Sequence, residues 1–141
     1  MVLGDPFNPA EGQYSTSSWM AELFVGKRDG IIASFFTARP PTWIVDVSDT
    51  AVIHIAALLA ADINGRRLWA AGHQVDSVND ILNIWRHRYP DTEITTDFAV
   101  RRGSKQDLDR SVETELLQRY VGRDYVPLRQ TLIETVKREV S

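Results

Sequence analysis

The chain has 141 residues and a mass of 16.0 kDa, with 43% hydrophobic and 25% charged residues. This size and composition predict one folded domain and exclude a chain that is disordered throughout. The formal net charge of -3 argues against a nucleic-acid binder, which needs a basic surface to displace counterions. Because the chain has no cysteine, disulfides, thiolate nucleophiles and cysteine–metal sites are excluded.

No segment has the features of a signal peptide or a membrane span. The first residues lack a basic region followed by an apolar core. The longest apolar stretch, at 51–61, is interrupted by His54 and is too short to cross a bilayer. We therefore expect a cytoplasmic protein without a membrane partner.

In chain order, residues 1–14 are rich in Gly, Pro and Asn and are expected to form a loop, with the tail of a strand at Met1–Gly4 as the alternative. Cap residues, apolar spacing and terminal Gly or Pro predict helices at 17–26, at 49–61, from Asp76 or Ser77 to Tyr89, at 108–120 and from Pro127 onward. β-Branched and aromatic runs predict strands at 31–37, 42–47 and 67–71, with a short one at 93–96. This order of elements predicts a small α/β unit that forms a single domain over residues 1–141.

The predicted helix at 49–61 directly follows a strand, and its start carries two aspartates. Ser48 and Asp49 are the expected caps, because side-chain oxygens there accept hydrogen bonds from free N–H groups. Asp49 is also a candidate general base, and strand alternation allows Asp46 to point inward for the same role. Apolar residues at helical spacing predict the buried stripe, which consists of Val52, Ile55, Ala56 and Leu59.

Five segments carry a family resemblance when they are taken in order: Val2–Pro6, Trp43–Leu58, Asn64–Gly72, Val78–Pro90 and Tyr125–Val136. Together they resemble the C-terminal, substrate-binding part of the extended short-chain dehydrogenase/reductase family. That family includes dihydroflavonol and cinnamoyl-CoA reductase-like enzymes and fungal aldehyde or ketone reductases. The resemblance implies the fold of a reductase substrate domain over residues 15–141.

The family's dinucleotide-binding features have no counterpart in these 141 residues. No strand is followed by a Gly-rich phosphate loop and a helix. The family's Tyr-x-x-x-Lys pair is also absent, since the residues four positions after the tyrosines are Ser18, Glu93, Asp124 and Arg129. We therefore predict no nicotinamide cofactor and no hydride transfer by this chain alone.

The candidate catalytic residues are His54, Asp46 and Arg39. His54 lies one turn into the helix at 49–61, where an imidazole can act as an acid or base or simply pack at an interface. Arg39, which precedes two prolines, is placed to hold a ligand carboxylate or carbonyl, or to remain a solvated loop charge. The histidines follow no metal-binding pattern, so no metal site is predicted.

The candidate substrate-binding residues are the aromatic residues Trp19, Phe35, Phe36 and Trp43. The resemblance implies that the helix with Trp19 and the segment near Trp43 line a substrate pocket, whereas ordinary core packing is the alternative. Without a dinucleotide half, this apolar surface is expected to be uncovered and available to a ligand or partner.

Two functions are open at this point. The first is a stand-alone domain that binds a small apolar metabolite and, if it is an enzyme, isomerises or cyclises it in secondary metabolism without a cofactor. The second is a non-catalytic, truncated or split reductase that acts through dimerisation or a partner chain. We expect a homodimer, because an uncovered apolar face is most often closed by a twofold axis.

Overall fold

The computed structural model describes residues 1–5, 15–27, 43–99 and 106–140. The elements in chain order are β1 (Val2–Leu3), α1 (Ser15–Phe24), β2 (Trp43–Asp46), α2 (Val47–Leu59), β3 (His73–Gln74), α3 (Val78–Arg88), α4 (Ser111–Val121) and α5 (Leu128–Val136). Short 3₁₀ turns cover Ala61–Ile63 and Lys137–Val140. The described ranges thus hold five helices and a three-stranded sheet, and the predicted α/β unit is confirmed. The predicted strand at 31–37 lies outside these ranges.

The central strand of the sheet is β2. On one side it pairs in parallel with β1, with Val2 opposite Val45, and on the other side it pairs antiparallel with β3. The parallel ladder includes Met1, whose carbonyl accepts a hydrogen bond from the Val45 N–H at 2.9 Å. Residues 2–3 are therefore a strand, although the composition of 1–14 predicts a loop.

The predicted strand at 67–71 does not form. The Trp69 N–H donates to the carboxylate of Glu113 on α4, and the Ala71 N–H donates to the Trp69 carbonyl at 2.8 Å. These bonds turn the backbone groups away from β2, so that pairing with β2 starts only at His73. The strand prediction at 67–71 is wrong because nearby partners compete for its amide groups.

A short strand at 93–96 does not form either. Instead, side chains of α3 hold the chain within and just after this segment: the Asn79 amide exchanges two 3.0 Å hydrogen bonds with the backbone of Phe98, two residues beyond it. Arg86 also donates to the Thr95 carbonyl at 2.6 Å. Because the backbone groups bind side chains rather than another strand, the segment has no sheet geometry.

The main core lies where α1, α3 and α5 meet the sheet. Trp85 is at its centre, fully buried, and its indole N–H donates to the Leu132 carbonyl at 3.0 Å. The ring of Phe24 meets Trp85 edge to face at 5.4 Å. Trp85 is thus a core residue with its polar atom satisfied, as buried indoles usually are.

Two helix ends have the capping residues expected from the sequence, whereas α4 begins at Ser111 and not at residue 108. Ser77 and Asp80 form a capping box at the start of α3. Gly122 ends α4 with a left-handed φ of 68°, which favours glycine. At α2, however, the cap prediction is wrong: Asp46 is the N-cap and accepts from the Ser48 N–H at 2.9 Å, whereas Asp49 lies inside the first turn and is fully buried.

The buried face of α2 also differs from the predicted stripe. Ile53 and Ala56 are buried, whereas Ile55 is 58% exposed and Leu59 is 65% exposed. The helix has apolar residues around most of its circumference, so its sequence has no polar face to indicate the outside. The contacts with α4 decide the orientation of α2. None of the helices in the described ranges has both the length and the apolarity needed to cross a bilayer.

Candidate functional site

An open cleft next to the first residues of β2 is the main candidate site. It has a volume of about 630 Å³. We call it the indole cleft; among the described residues it is lined by Met1, Trp43, Trp69, Ala70, Ala71, Gln106, Asp107 and Leu108. Its walls are mainly apolar, with an amide and a carboxylate at one side. A volume of this size with few polar groups is typical of small-molecule sites.

Arg110 supports the cleft from behind. Its guanidinium lies 5.0 Å from the ring centre of Trp43 and 5.3 Å from that of Tyr125. It also donates to the carbonyls of Ala71, at 3.0 Å, and Gly72. Through these contacts Arg110 links Trp43, one wall of the indole cleft, to the backbone just after Trp69, the other wall.

Two polar atoms beside Arg110 are buried without a hydrogen-bond partner in the described ranges: the indole nitrogen of Trp43 and the hydroxyl of Tyr125. Burial, together with repulsion from the Glu113 carboxylate, raises the pKa of Tyr125 to about 12, although Arg110 acts in the opposite direction. The phenol is therefore neutral at physiological pH. It can donate a hydrogen bond but does not serve as a base there.

Asp46, a predicted catalytic residue, is 6% exposed and fully engaged in the fold. One carboxylate oxygen accepts from the N–H and hydroxyl of Ser48, at 2.9 and 2.7 Å. The other accepts from the buried Thr131 hydroxyl at 2.9 Å. These bonds join the start of α2 to α5, so the contacts of Asp46 are those of a structural carboxylate.

His54, the predicted acid or base, is exposed on α2 and is not among the residues that line the indole cleft. Its Nδ1 lies 2.7 Å from the Thr50 carbonyl, one turn earlier in the same helix. Within the single chain His54 is exposed, so it is not a histidine buried by packing against another element of the domain. The structure thus does not bring His54 and Asp46 together at the cleft.

Of the predicted substrate-binding residues, Trp43 lines the indole cleft, whereas Trp19 packs against the main core. Phe35, Phe36 and Arg39 lie outside the described residues. Trp69 forms the other aromatic wall of the cleft and is 46% exposed. Exposure alternates from residue to residue over 67–70, and Trp69 occupies one of the exposed positions.

Gln106, Asp107 and Arg110 are site residues that the sequence did not reveal. They are distant in sequence from Trp43 and Trp69 and belong to the polar connection that precedes α4. Nothing in the local pattern distinguishes them from solvated charges, because their position depends on how α4 packs. No group of three acidic or histidine side chains in the described part of the chain could hold a metal ion.

A nicotinamide cofactor, which the family resemblance implies for whole reductases, does not fit the residues present. Two of the four hydroxyls at the start of α1 donate within the chain: Thr16 donates to the Val2 carbonyl at 2.7 Å and Ser18 to the Ser15 carbonyl at 2.8 Å. No Gly-rich phosphate loop accompanies them in the sequence. In this arrangement the hydroxyls of Thr16 and Ser18 are not free to donate to a pyrophosphate.

The fold and the sequence together confirm the predicted resemblance of this domain to part of the extended short-chain reductases. The chain is 27% identical over 117 residues to aldehyde reductase 2 of Sporidiobolus salmonicolor, a match that covers 83% of this chain. No protein-family model matches the sequence.

Two solved reductases show the same fold. One is the yeast methylglyoxal/isovaleraldehyde reductase Gre2 in complex with NADPH, with a TM-score of 0.67 and 19% identity over 99% of this chain. The other is the Candida albicans Gre2–NADPH complex, with a TM-score of 0.65 and 22% identity over 99% of this chain. The present chain spans only 33% of the aldehyde reductase, 44% of yeast Gre2 and 41% of the Candida protein.

Proposed function

We propose that this domain binds a small, largely apolar metabolite in the indole cleft. The observation that carries the proposal is the cleft itself, where Trp43 and Trp69 form apolar walls beside Gln106 and Asp107. Aromatic side chains offer large contact area at low entropic cost, and a few polar groups are enough to orient a ligand. The relationship to reductases of small carbonyl compounds supports the same ligand size.

The polar side of the cleft suggests the chemistry of the ligand. The Gln106 amide can donate to a carbonyl or hydroxyl oxygen, and the Asp107 carboxylate can accept from a hydroxyl. The ligand body would lie against the exposed ring of Trp69. We therefore propose an aromatic or branched aliphatic compound with one carbonyl or hydroxyl group, bound in the cytoplasm.

Cofactor-free isomerisation or cyclisation is the finer form of this proposal. It requires a proton donor or acceptor at the bound ligand, and Asp107 is the titratable side chain that lines the described cleft. Catalysis by His54, Asp46 and Arg39 stays a prediction. The proposal that the indole cleft binds a metabolite does not depend on it.

The experiment uses acetophenone and 1-phenylethanol as probes and follows the four tryptophan indole N–H signals by NMR. We expect both probes to shift the signals of Trp43 and Trp69 and to leave that of Trp85, which is sealed in the core, unchanged. Trp69→Ala should weaken binding by about tenfold, the cost of losing one large apolar contact.

Tyr120→Ala is the matched control, because Tyr120 is an exposed aromatic residue on α4 that does not line the cleft. It should bind the probes as the unaltered chain does. Equal shifts of all four indoles, or unchanged affinity in Trp69→Ala, would count against the indole cleft as the binding site.

The second candidate function is that of a non-catalytic reductase part that acts by dimerisation or through a partner chain. It is favoured by a different observation, the uncovered apolar face of α2. Leu58 on this helix is 87% exposed and Ile55 is 58% exposed. Large apolar side chains exposed on adjacent helical turns mark interaction surfaces.

A further inference from the structure

A tight turn with the sequence Asn64-Gly65 follows the 3₁₀ turn Ala61–Ile63. Asn64 has φ -54° and ψ 134°, and Gly65 has φ 77°. The Arg66 N–H closes the turn by donating to the Ile63 carbonyl at 3.1 Å. These angles and this hydrogen bond are those of a type II β-turn, in which glycine supplies the positive φ. Both central residues are exposed to solvent.

The Asn64 side chain and the Gly65 backbone N–H are held by no other group of the described ranges. Neither makes a hydrogen bond there, although the turn around them is closed. A Cβ built at Gly65 would have no heavy atom within 4 Å, so the space beside this residue is open. Because glycine has no side chain of its own, its nitrogen is the least hindered of all backbone nitrogens. An unheld amide thus precedes an unhindered nitrogen.

We propose that Asn64 is a site of spontaneous deamidation in the folded chain, independently of ligand binding and of the second candidate function. The Gly65 nitrogen gives its proton to hydroxide and bonds to Cγ of Asn64, while the side-chain nitrogen takes a proton from water and leaves as ammonia. Water then opens the five-membered imide. Breaking the new bond to Cγ gives an aspartate, whereas breaking the original peptide bond gives an isoaspartate, in which the main chain runs through Cβ.

The charges next to the turn favour this reaction. Arg66 and Arg67 directly follow Gly65, and both are exposed. A positive charge near the glycine nitrogen assists the loss of its proton, and it also stabilises the carboxylate that forms. The carboxylate of Asp62, the acidic residue nearest in sequence, is paired with Arg119 at 3.0 Å, which reduces its opposing effect.

The turn has to open slightly for the attack to occur. The peptide unit between Asn64 and Gly65 must rotate to bring the nitrogen to Cγ, and this rotation breaks the bond that the Arg66 N–H donates. An exposed hydrogen bond of this kind is readily exchanged for one with water, so it slows the reaction without preventing it.

The other asparagines provide controls within the same chain. Asn79 and Asn83 lie in α3, where the backbone is fixed, and their side chains are engaged with Phe98 and Arg86 at 3.0 Å. Asn8 precedes a proline, which has no N–H to react. We therefore expect deamidation to be concentrated at Asn64.

The two products should differ in their effect on the fold. Ile63 and Leu68, on either side of the turn, pack in the same apolar cluster with Ala60 and Leu116. The aspartate leaves the length of the main chain unchanged, whereas the isoaspartate adds one main-chain carbon between these two anchors. The isoaspartate form should therefore melt at a lower temperature than the Asn64→Asp variant, which should melt as the unaltered chain does.

The test incubates the folded full chain in warm, mildly alkaline buffer and follows each asparagine by mass spectrometric peptide mapping. Asn64 should convert about tenfold faster than Asn79 and Asn83, or more. Ion exchange should show a species whose net charge has changed from -3 to -4 and which elutes with Asn64→Asp. Asn64→Gln is the matched control and should form this species far more slowly, because its longer side chain must close a six-membered ring.

Three results would each overturn the proposal. They are conversion at Asn64 no faster than at Asn79, conversion at Asn64 only after the chain has been unfolded in urea, and unchanged formation of the acidic species in Asn64→Gln. Equal melting temperatures of the separated isoaspartate form and of Asn64→Asp would overturn the inferred effect on the packing of Ile63 and Leu68.

Discussion

Replacing Asp49 with alanine is expected to destabilise the domain more than the loss of a helix cap would. The carboxylate is fully buried and joins the start of α2 to the chain after α4. One oxygen lies 2.5 Å from the Arg123 guanidinium, and the other accepts from the Val126 N–H at 2.8 Å. Asp49→Ala therefore removes two tertiary bonds at once.

The loss of unfolding free energy in Asp49→Ala follows from the two groups that lose their partner, the Val126 N–H and the Arg123 guanidinium. An unpaired buried N–H costs about 1–3 kcal/mol, and breaking a buried ion pair from one side costs about 3–5 kcal/mol. The Arg123 side chain is 38% exposed and can recover water, which reduces the second cost. We expect a loss of about 2–4 kcal/mol, which corresponds to a melting temperature lower by roughly 10 °C in a domain of this size.

Thermal unfolding of four variants tests this reasoning. Asp49→Asn should cost less than Asp49→Ala, because the amide oxygen can still accept from the Val126 N–H. Asp62→Ala is the matched control: Asp62 also pairs with an arginine of the α4 region, Arg119, but it is 58% exposed. Exposed pairs contribute little, so its melting temperature should hardly change.

Arg123→Ala distinguishes a tertiary bond from a cap. If Asp49 acts through Arg123, the effects of Asp49→Ala and Arg123→Ala combine to less than their sum in a double-mutant cycle. A loss for Asp49→Ala no larger than that for Asp62→Ala, or full additivity with Arg123→Ala, would refute the assignment.

Four further outcomes are expected. Tyr125→Phe should keep or raise the stability at neutral pH, because the Tyr125 hydroxyl is unpaired. Since the pKa of Tyr125 is raised above its ordinary value in the folded chain, the unaltered chain should lose stability between about pH 10 and 12 in alkaline unfolding. Tyr125→Phe should not show this loss. Gly72→Ala should lower the unfolding free energy by about 1–3 kcal/mol in urea titration, since a Cβ there would lie 2.8 Å from the Ile44 carbonyl oxygen; an unchanged midpoint would contradict the close packing. Thr131→Val should cost about 1–3 kcal/mol in the same titration, because Asp46 loses its buried partner. NADPH should give no heat of binding in calorimetry, and a micromolar dissociation constant would contradict the prediction that this chain alone holds no nicotinamide cofactor.

The sequence by itself determined the features that depend on neighbouring residues. The capping box of Ser77 and Asp80, the helix end at Gly122 and the start of the last helix after Pro127 are all local events. Ser77 and Gly122 act on groups within four residues of themselves, and Pro127 acts through its own fixed φ, so a short window of sequence contains the cause. The family resemblance was accessible for the same reason, because it consists of short segments in a fixed order.

Only the tertiary structure decided which face of α2 is buried and what its two aspartates do. Apolar residues surround most of the helix, so its sequence contains no polar stripe that marks the outside. The packing of Ile53 and Ala56 against α4 and the sheet decides which face is buried. The tertiary partners of Asp46 and Asp49 are distant in sequence: a threonine 85 residues from Asp46 and a backbone amide 77 residues from Asp49. The indole cleft also depends on tertiary packing. Trp43, Trp69 and Asp107 are far apart in sequence and line one cleft only after α4 has packed, so no local interaction in the sequence reveals that they are neighbours.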